Sequence, residues 1–480
     1  MFRRGSAARR LLPCAVCAIV LTTGCILKKP PDAKEIKAEA LPKVQTPDQW
    51  TAPGAAAGAV TDNWIASFHD DQLTAAVAEA IANNADLRVA ATRVEQAQLY
   101  AKLAGAKLYP SVDLLARGGG KLSGDNSGLQ GAVVVANWEI DLWGRVRYGR
   151  AAAAADAYAA EADFEYARQS LAAAVAKNWF LATEAGLQAE LARATITQGD
   201  ELVTLAQSRS QIGIGNDEDV YVARASVGGY RDALRQIELS REQAIRALEL
   251  LLGRYPAAAA TVDPQLPGQP PAVPGGLPSA LLERRPDVVA AERRIAAAFH
   301  RVHEAKAARL PSITLTTSLS EITSSLFLLK DRDNPQWSAG ASLLAPLFHG
   351  GALKTQVEIR TAEQKQAVAA YASVGLRAFS DVENALSAEK AAHDRESILT
   401  QVVSDTQRAL GIVQTQFKVG STDLRSVTQR QLTLNSAQSA LIRMQAEQRV
   451  QRVNLHLALG GSFETRPAPP PPPQNPPAKR

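Results

Sequence analysis

Cys25 is the residue whose surroundings fit one covalent reaction. It follows Thr22-Thr23-Gly24, and ahead of these stand Arg3, Arg4, Arg9 and Arg10 and an uncharged apolar stretch from Leu11 to Leu21. That is the layout of a secretory signal ending in small residues. A thiol to accept diacylglycerol, with the small Gly24 before it for cleavage, predicts a lipoprotein signal over 1–24, although Thr22 stands where leucine is usual and Leu21 comes one place early. The expected product carries an N-acyl chain (palmitate) and an S-diacylglycerol on Cys25, and no other cofactor. The apolar run is shorter than the roughly 20 residues of a spanning helix, which argues against a permanent transmembrane anchor. Ile26, not aspartate, follows the cysteine, which in enteric-type sorting directs a lipoprotein to the outer membrane. Cleavage would also discard Cys14 and Cys17, so that CxxC pair is neither a redox nor a zinc site.

Other residues that could do chemistry do not assemble. Gly118-Gly-Gly-Lys121-Leu-Ser123 misses the phosphate-loop spacing because Leu122 follows the lysine, and it reads as a strand-to-strand turn. His300 and His303 are three apart on a helix, but no HExxH motif or cysteine accompanies them; they read as solvated helix residues, and no metal site is expected. Asp141, Arg145 and Arg147 read as a strand-to-helix transition. No nucleophile with a base stands out, so the chain is not expected to be an enzyme. Four arginines and no acid precede Cys25, so cleavage takes the formal net charge from +5 to +1. Nothing electrostatic then favours nucleic acid.

The elements that position these residues come in two copies. A shift of 201 places Asp86-Leu87 on Asp287-Val288, Arg93-Val94 on Arg294-Ile295, Ala104 on Ala305 and Pro110-Ser111-Val112 on Pro311-Ser312-Ile313. Further on the register drifts, and Leu248 to Gly253 meets Leu455 to Gly460. Proline, excluded from helix interiors, is absent between Pro110 and Pro256 and between Pro346 and Pro467. The expected organisation is a strap over 25–61 without regular structure, repeat 1 over 62–255, a proline-rich linker over 256–286, repeat 2 over 287–461 and a proline-rich, disordered tail over 462–480. Repeat 1 has a helix from Leu73 to Leu108, strands over 109–122 and 129–141, and helices over 146–212 and 217–252. Repeat 2 has strands over 310–320 and 337–347 and helices over 351–418 and 423–459. Val220, Ala223, Val227, Tyr230, Leu234 and Ile237 follow heptad spacing, a coiled-coil seam. At 1.5 Å per residue the 146–212 helix is on the order of 100 Å long and its two shorter partners roughly 54 Å each, a layout for a wall of antiparallel helices.

No mature stretch is apolar enough for a spanning helix, so deeper membrane insertion falls to strands. Ile313, Leu315, Thr317 and Leu319 alternate with Ser312, Thr314, Thr316 and Ser318, greasy on one face and wet on the other. Ala132 to Ile140 alternates less cleanly. Tyr109, Trp138, Trp143, Trp337 and Phe348 stand at strand ends, where membrane-interface aromatics sit. Four strands cannot close a barrel, whose smallest outer-membrane form has about eight, and open edges in lipid leave backbone groups unpaired. Spanning strands therefore require several protomers.

Four segments carry a family resemblance. Val273-Pro-Gly-Gly-Leu-Pro-Ser-Ala-Leu-Leu-Glu-Arg-Arg-Pro-Asp287 resembles the linker of the TolC-like outer membrane factors, in their NodT-type lipoprotein branch. Trp138-Glu-Ile-Asp-Leu-Trp-Gly-Arg-Val-Arg147, Pro346-Leu-Phe-His-Gly-Gly351 and Ala378-Phe-Ser-Asp-Val-Glu-Asn-Ala-Leu386 are similar to three more of its signatures. The resemblance covers nearly all of Trp64 to Gly461. It implies an α+β membrane protein: a homotrimer with a twelve-stranded β-barrel, four strands per protomer, continued by a long periplasmic α-helical barrel. It also implies a passive exit duct of a tripartite efflux pump, contacting outer-membrane lipids and docking a periplasmic adaptor and an inner-membrane transporter of the resistance-nodulation-division type. Type I protein secretion is the alternative within the channel class, and a non-channel coiled-coil lipoprotein the alternative outside it.

The resemblance further implies a periplasmic tip at the hairpins Gly213 to Asp219 and Val419 to Asp423, with Gly213, Gly215 and Gly420 in helix-ending turns. Family members often place a carboxylate ring two turns into the last helix. Here that position is Gln429, flanked by Arg425 and Arg430, while Asp217, Glu218, Asp219 and Asp423 sit in the turns. One expectation is a polar or partly basic aperture closed by pairs such as Arg425 with Asp219; the other is solvated charges worth little individually.

Overall fold

Both proline-free stretches hold two long helices, and each helix pair follows two strands in the chain. The computed structural model describes residues 27–53, 58–117, 129–268, 270–324 and 336–464. The signal with Cys25, the segment 118–123 and the tail beyond 464 lie outside the described residues. In chain order the elements are α1 (Ala33–Ala40), α2 (Asp71–Asn83), α3 (Ala85–Ala106), β1 (Ser111–Arg117), β2 (Leu129–Ile140), α4 (Arg145–Gln211), α5 (Asp217–Leu251), α6 (Pro286–Ala307), β3 (Ser312–Ser324), β4 (Gln336–Leu344), α7 (Ala352–Lys418) and α8 (Leu424–Ala458). Short 3-10 turns lie at Trp64–Phe68 and Pro278–Ala280, and one helical turn at Leu281–Arg284. The helices pair by length: α3 and α6 have 22 residues each, α4 and α7 have 67, and α5 and α8 have 35.

Four expectations are corrected. The helix from Leu73 to Leu108 is two helices, because Asn84 is extended (φ −62°, ψ 128°). Its side chain accepts from the Leu87 N–H at 3.0 Å, capping α3, and donates to the Leu251 carbonyl at 3.0 Å. The strap contains α1, a two-turn helix too short to show a period, started by a capping box of Asp32 and Glu35. The linker ends one residue sooner, since Pro286 opens α6 with its ring-fixed φ suited to a first helical position. β4 stops at Leu344, ahead of Pro346, which has no N–H for a ladder.

Compact units cut across the two copies. One gathers the chain up to Val44, Ala91–Asp163 and Val289–Val374; the other gathers Gln45–Ala90, Phe164–Val288 and the chain from Gly375. In the first, all four strands form one antiparallel sheet in the order β1-β2-β3-β4. His300 and His303 are packed there too, with His303 5.2 Å from the Tyr148 ring and His300 only 9% exposed. They are therefore not the solvated residues expected, because α6 presents them to the start of α4. In the second unit, α2 buries Leu73, Ala76, Val77 and Ala80, one stripe at helical spacing. The stripe joins a core with Trp64, Phe68, Phe180, Leu248 and Val453. The predicted seam of α5 is buried at Ala223 and Val227. Fully burying each large apolar side chain contributes about 1.5–3 kcal/mol. Among the described residues no helix is long and apolar enough to cross a membrane.

Candidate functional site

The sheet is the first candidate, and its register decides what each face offers. Directly paired residues of antiparallel strands project to the same side. Val112 pairs with Ala136, Ala136 with Thr317 and Thr317 with Ala339; Leu114 pairs with Val134, Val134 with Leu319 and Leu319 with Trp337. Trp138, Leu315 and Ala341 form a third row, and Ile140, Ile313 and Leu343 a fourth. These four rows are apolar except for Thr317, and the next row of the same face pairs Ala116 with Ala132 and Ala132 with Glu321. The rows between them present Ser111, Asn137 and Thr316, then Asp113, Val135, Ser318 and Ser338, then Glu139, Thr314 and Ser342. On that face Thr316 Oγ1 donates to Asn137 Oδ1 at 2.9 Å and the Ser318 and Ser338 hydroxyls lie 2.8 Å apart. The partners set the face of each β2 residue, and Val133 and Val135, which blurred the alternation in β2 read alone, fall on the face of Ser318 and Ser320. Strands β2, β3 and β4 have 12, 13 and 9 residues, lengths that suit tilted spanning strands of about 9–11 residues.

The aromatics bracket this sheet. Trp138 Nε1 donates to the Leu108 carbonyl at 2.9 Å and Trp143 Nε1 to the Pro311 carbonyl at 2.7 Å. Both lie, with Tyr109 and Phe348, at the end where helices enter and leave. Trp337 is at the other end of β4, seven residues from Leu344, roughly 24 Å by strand rise. The five residues therefore form two groups.

Asp141, Arg145 and Arg147 build the turn from β2 into α4. The Asp141 carboxylate accepts from the Val146 N–H at 3.0 Å and from Arg147 N–H at 2.9 Å and Nε at 3.0 Å. Arg147 also donates to the Asp141 carbonyl at 2.9 Å. Arg145 forks onto Glu139, a bidentate pair of 3.0 and 2.5 Å. These groups satisfy the open N–H groups of a helix start and leave no carboxylate in a catalytic arrangement. Among the described residues no cluster of three or more histidines, cysteines or carboxylates could hold a metal.

The helix tips are the second candidate. α4 ends at Gly213 (φ +78°) and α7 at Gly420 (φ +77°), left-handed positions that favour glycine. Gly215 passes so close to Arg209 that a Cβ there would meet the Arg209 Cβ at 2.9 Å. Asn216 caps α5 through the Asp219 N–H at 2.8 Å, and Asp217 accepts from the Ser210 hydroxyl at 2.7 Å. Asp423 caps α8 through the Ser426 N–H at 2.8 Å, and the Ser426 hydroxyl and N–H hold its carboxyl below the ordinary value. Arg425 reaches Glu218 at 3.5 Å instead of the expected Asp219. Arg425 and Glu218 are 79% and 70% exposed. Gln429 and Arg430 are exposed on the next turn. Beneath these charges, Arg209 lies 4.7 Å over the Phe417 ring and donates to its carbonyl at 3.0 Å. Sequence reasoning missed this clamp between the hairpins; an arginine and a phenylalanine in the last turns of the two longest helices were the available signal.

Relatives share this architecture. The family described as outer membrane efflux protein matches residues 76–254 and 277–461. The chain is 30% identical over 442 residues to the pyoverdine export outer membrane protein OpmQ of Pseudomonas putida, across 88% of this chain and 93% of that protein. It is 28% identical over 469 residues to the cation efflux system protein CusC of Escherichia coli, across 95% and 99%. The crystal structure of the outer membrane protein VceC of Vibrio cholerae matches with a TM-score of 0.77 at 26% identity, covering 85% of this chain and 100% of that one.

Proposed function

We propose, for a chain that belongs to the outer membrane efflux protein family, that three copies pool their sheets into one twelve-stranded barrel in the outer membrane. The protein is an outer-membrane efflux channel. The single observation that carries the mechanism is the register: over the four rows from Ile140 to Val134 the strands place apolar side chains, with Thr317, on one face, while Asn137, Asp113, Glu139 and most of the hydroxyls share the other with Val135. Lipid against the first and water against the second is the arrangement of a transmembrane barrel strand. Strands β1 and β4 each keep an unpaired edge within the protomer. Unpaired backbone groups cost several kcal/mol each in hydrocarbon, and pairing β1 of one copy with β4 of the next removes every edge.

The duct is passive and performs no bond chemistry. Substrate enters from an adaptor and an inner-membrane transporter of the resistance-nodulation-division type, docked at the tips around Gly213 and Gly420. Matching helix lengths and two matched family segments support descent from two copies of one unit. The lipid on Cys25 adds a second attachment, since one acyl chain alone anchors only marginally. OpmQ is named for pyoverdine export and CusC for cation efflux. With such different cargo on similarly related proteins, selection of cargo is assigned to the inner-membrane partner.

A charge swapped between adjacent positions tests this reading. Leu315→Arg puts a cation on the apolar face in the row of Trp138, where only part of the midplane cost of about 2–4 kcal/mol per protomer is felt, and should weaken the unheated trimer band and planar-bilayer conductance. Thr316→Arg puts it on the polar face and should keep the trimer while changing conductance. Equal tolerance of both substitutions would sink the barrel reading.

A further inference from the structure

The end of the sheet where the helices attach carries positive charge that the ion pairs described above do not absorb. A cleft of about 360 Å³ there is lined by Lys107, Arg145, Arg150, Asp156, Arg301 and Glu304. Arg145 is committed to Glu139 and Arg301 to Asp156. Lys107 and Arg150 form no ion pair among the described residues, and both are exposed. Glu304, set against Gly149, is the acid that faces them.

More cations flank the same strand ends. Lys306 in the last turn of α6 and Arg309 between α6 and Ser312, where β3 begins, are both exposed. Lys28 is brought in from the strap: its N–H donates to the Tyr148 hydroxyl at 3.0 Å, and Leu27 packs on Gly144. Burial lowers the pKa of His303, the Phe299 carbonyl opposes this, and Lys306 and Lys28 lower it further, so these two lysines crowd one place. Tyr109 and Trp143, 74% and 46% exposed, stand at the same level.

We propose that Lys28, Lys107, Arg150, Lys306 and Arg309 form a cationic collar that binds the phosphates of anionic phospholipid headgroups in the leaflet facing the helices. The inference rests on the reading that the strands cross the membrane. The charges are spread along four separate segments rather than converging on one point, which suits a plane of phosphates and not a single free phosphate ion. Long lysine and arginine stems can lie along apolar surface while their heads reach the headgroups, and exposed aromatics at that depth are the usual companions of such an interface. Cys25, three residues before Lys28, would insert its acyl chains into the same leaflet.

The test uses the full lipidated protein in vesicles of phosphatidylglycerol and phosphatidylcholine, with spin-labelled versions of each lipid reporting which one the protein retains. Each cation near an anionic surface contributes up to about fivefold in partitioning, so the wild type should prefer phosphatidylglycerol several-fold and lose that preference at high salt. Replacing all five by glutamine should bring the preference to unity, whereas Arg224, Arg408, Lys418 and Arg430→Gln should leave it unchanged. Lys28, Lys107 and Lys306→Arg should retain it. Should the five-fold variant not insert, the salt titration of the wild type decides: a preference insensitive to salt overturns the collar. Conductance with no lipid preference overturns the collar alone. Absence of both insertion and conductance in the wild type overturns the membrane reading and the collar with it.

Discussion

The C-terminal ends of α5 and α8, which correspond in the two copies, meet one backbone problem with different charges. Asn84 stands immediately before α3 and Arg285 immediately before α6, and each donates to a carbonyl at the end of a 35-residue helix, Leu251 at 3.0 Å and Ala458 at 3.4 Å. Asn84 does so as a neutral amide, whereas Arg285, 3% exposed, is held by Asp287 at 2.8 Å and Asp381 at 3.0 Å. The third residue from each helix end differs in the same way. Glu249 is buried, and although burial opposes its charge, N–H groups of Ala260, Ala258 and Ala259 hold its carboxyl below the ordinary value. His456 is buried without a partner for Nδ1 and stacks on Trp64 at 5.6 Å. Burial, then Arg452, pushes its pKa down to about 3. A helix end can thus be closed by neutral and anionic groups or by cationic and neutral ones, but the two closures fail differently.

Arg285→Ala should show the largest difference. It strands Asp287 and Asp381, and breaking a buried pair costs about 3–5 kcal/mol; with Asp381 43% exposed the lower figure applies. Thermal unfolding of the detergent-solubilised protein by circular dichroism measures it. Next comes acid. Below about pH 6.5 the unfolded chain takes up a proton that buried His456 refuses, so stability falls from there towards pH 3. Glu249 begins to lose its contribution only below about pH 4.5. His456→Phe should therefore flatten the loss of melting temperature between pH 7 and 5 and leave the loss below pH 4.5. His300 and His303, lowered by burial in the same sense, should leave a residual slope. Equal slopes in variant and wild type would remove His456 from the account.

Asn84→Ala should cost less, about 1–2 kcal/mol, for the lost cap and the freed Leu251 carbonyl. It should do so without pH dependence, since no charge is involved. The smallest effect belongs to the other ends of α5 and α8. Arg425→Ala breaks only the exposed pair with Glu218, and should change melting by less than the scatter between preparations. Unchanged single-channel conductance in that variant would also dismiss Arg425 as a gate.

Legibility in the sequence followed the range of the forces involved. Proline exclusion and a repeated pattern act along the chain, so α4, α5, α7 and α8 were readable almost to the residue, and period-two alternation exposed β3. The break at Asn84 depends on Leu251, distant in sequence, and an alanine-rich run reads as helix whether or not it is interrupted. Burial of His300 and His303 depends on α6 meeting Tyr148. At the tips, the turn glycines were legible from their type, but which acid meets Arg425 depended on how the starts of α5 and α8 face each other. The aromatic residues were placed at strand ends, yet which end each occupies emerged only from the register.

That register also sets rules for editing the gene. Each strand residue alternates between hydrocarbon and water, so inserting or deleting one residue within β1 to β4 exchanges the two faces from that point onward. Changes in length should therefore be rejected inside the described strands, and a library that varies them should preserve their parity.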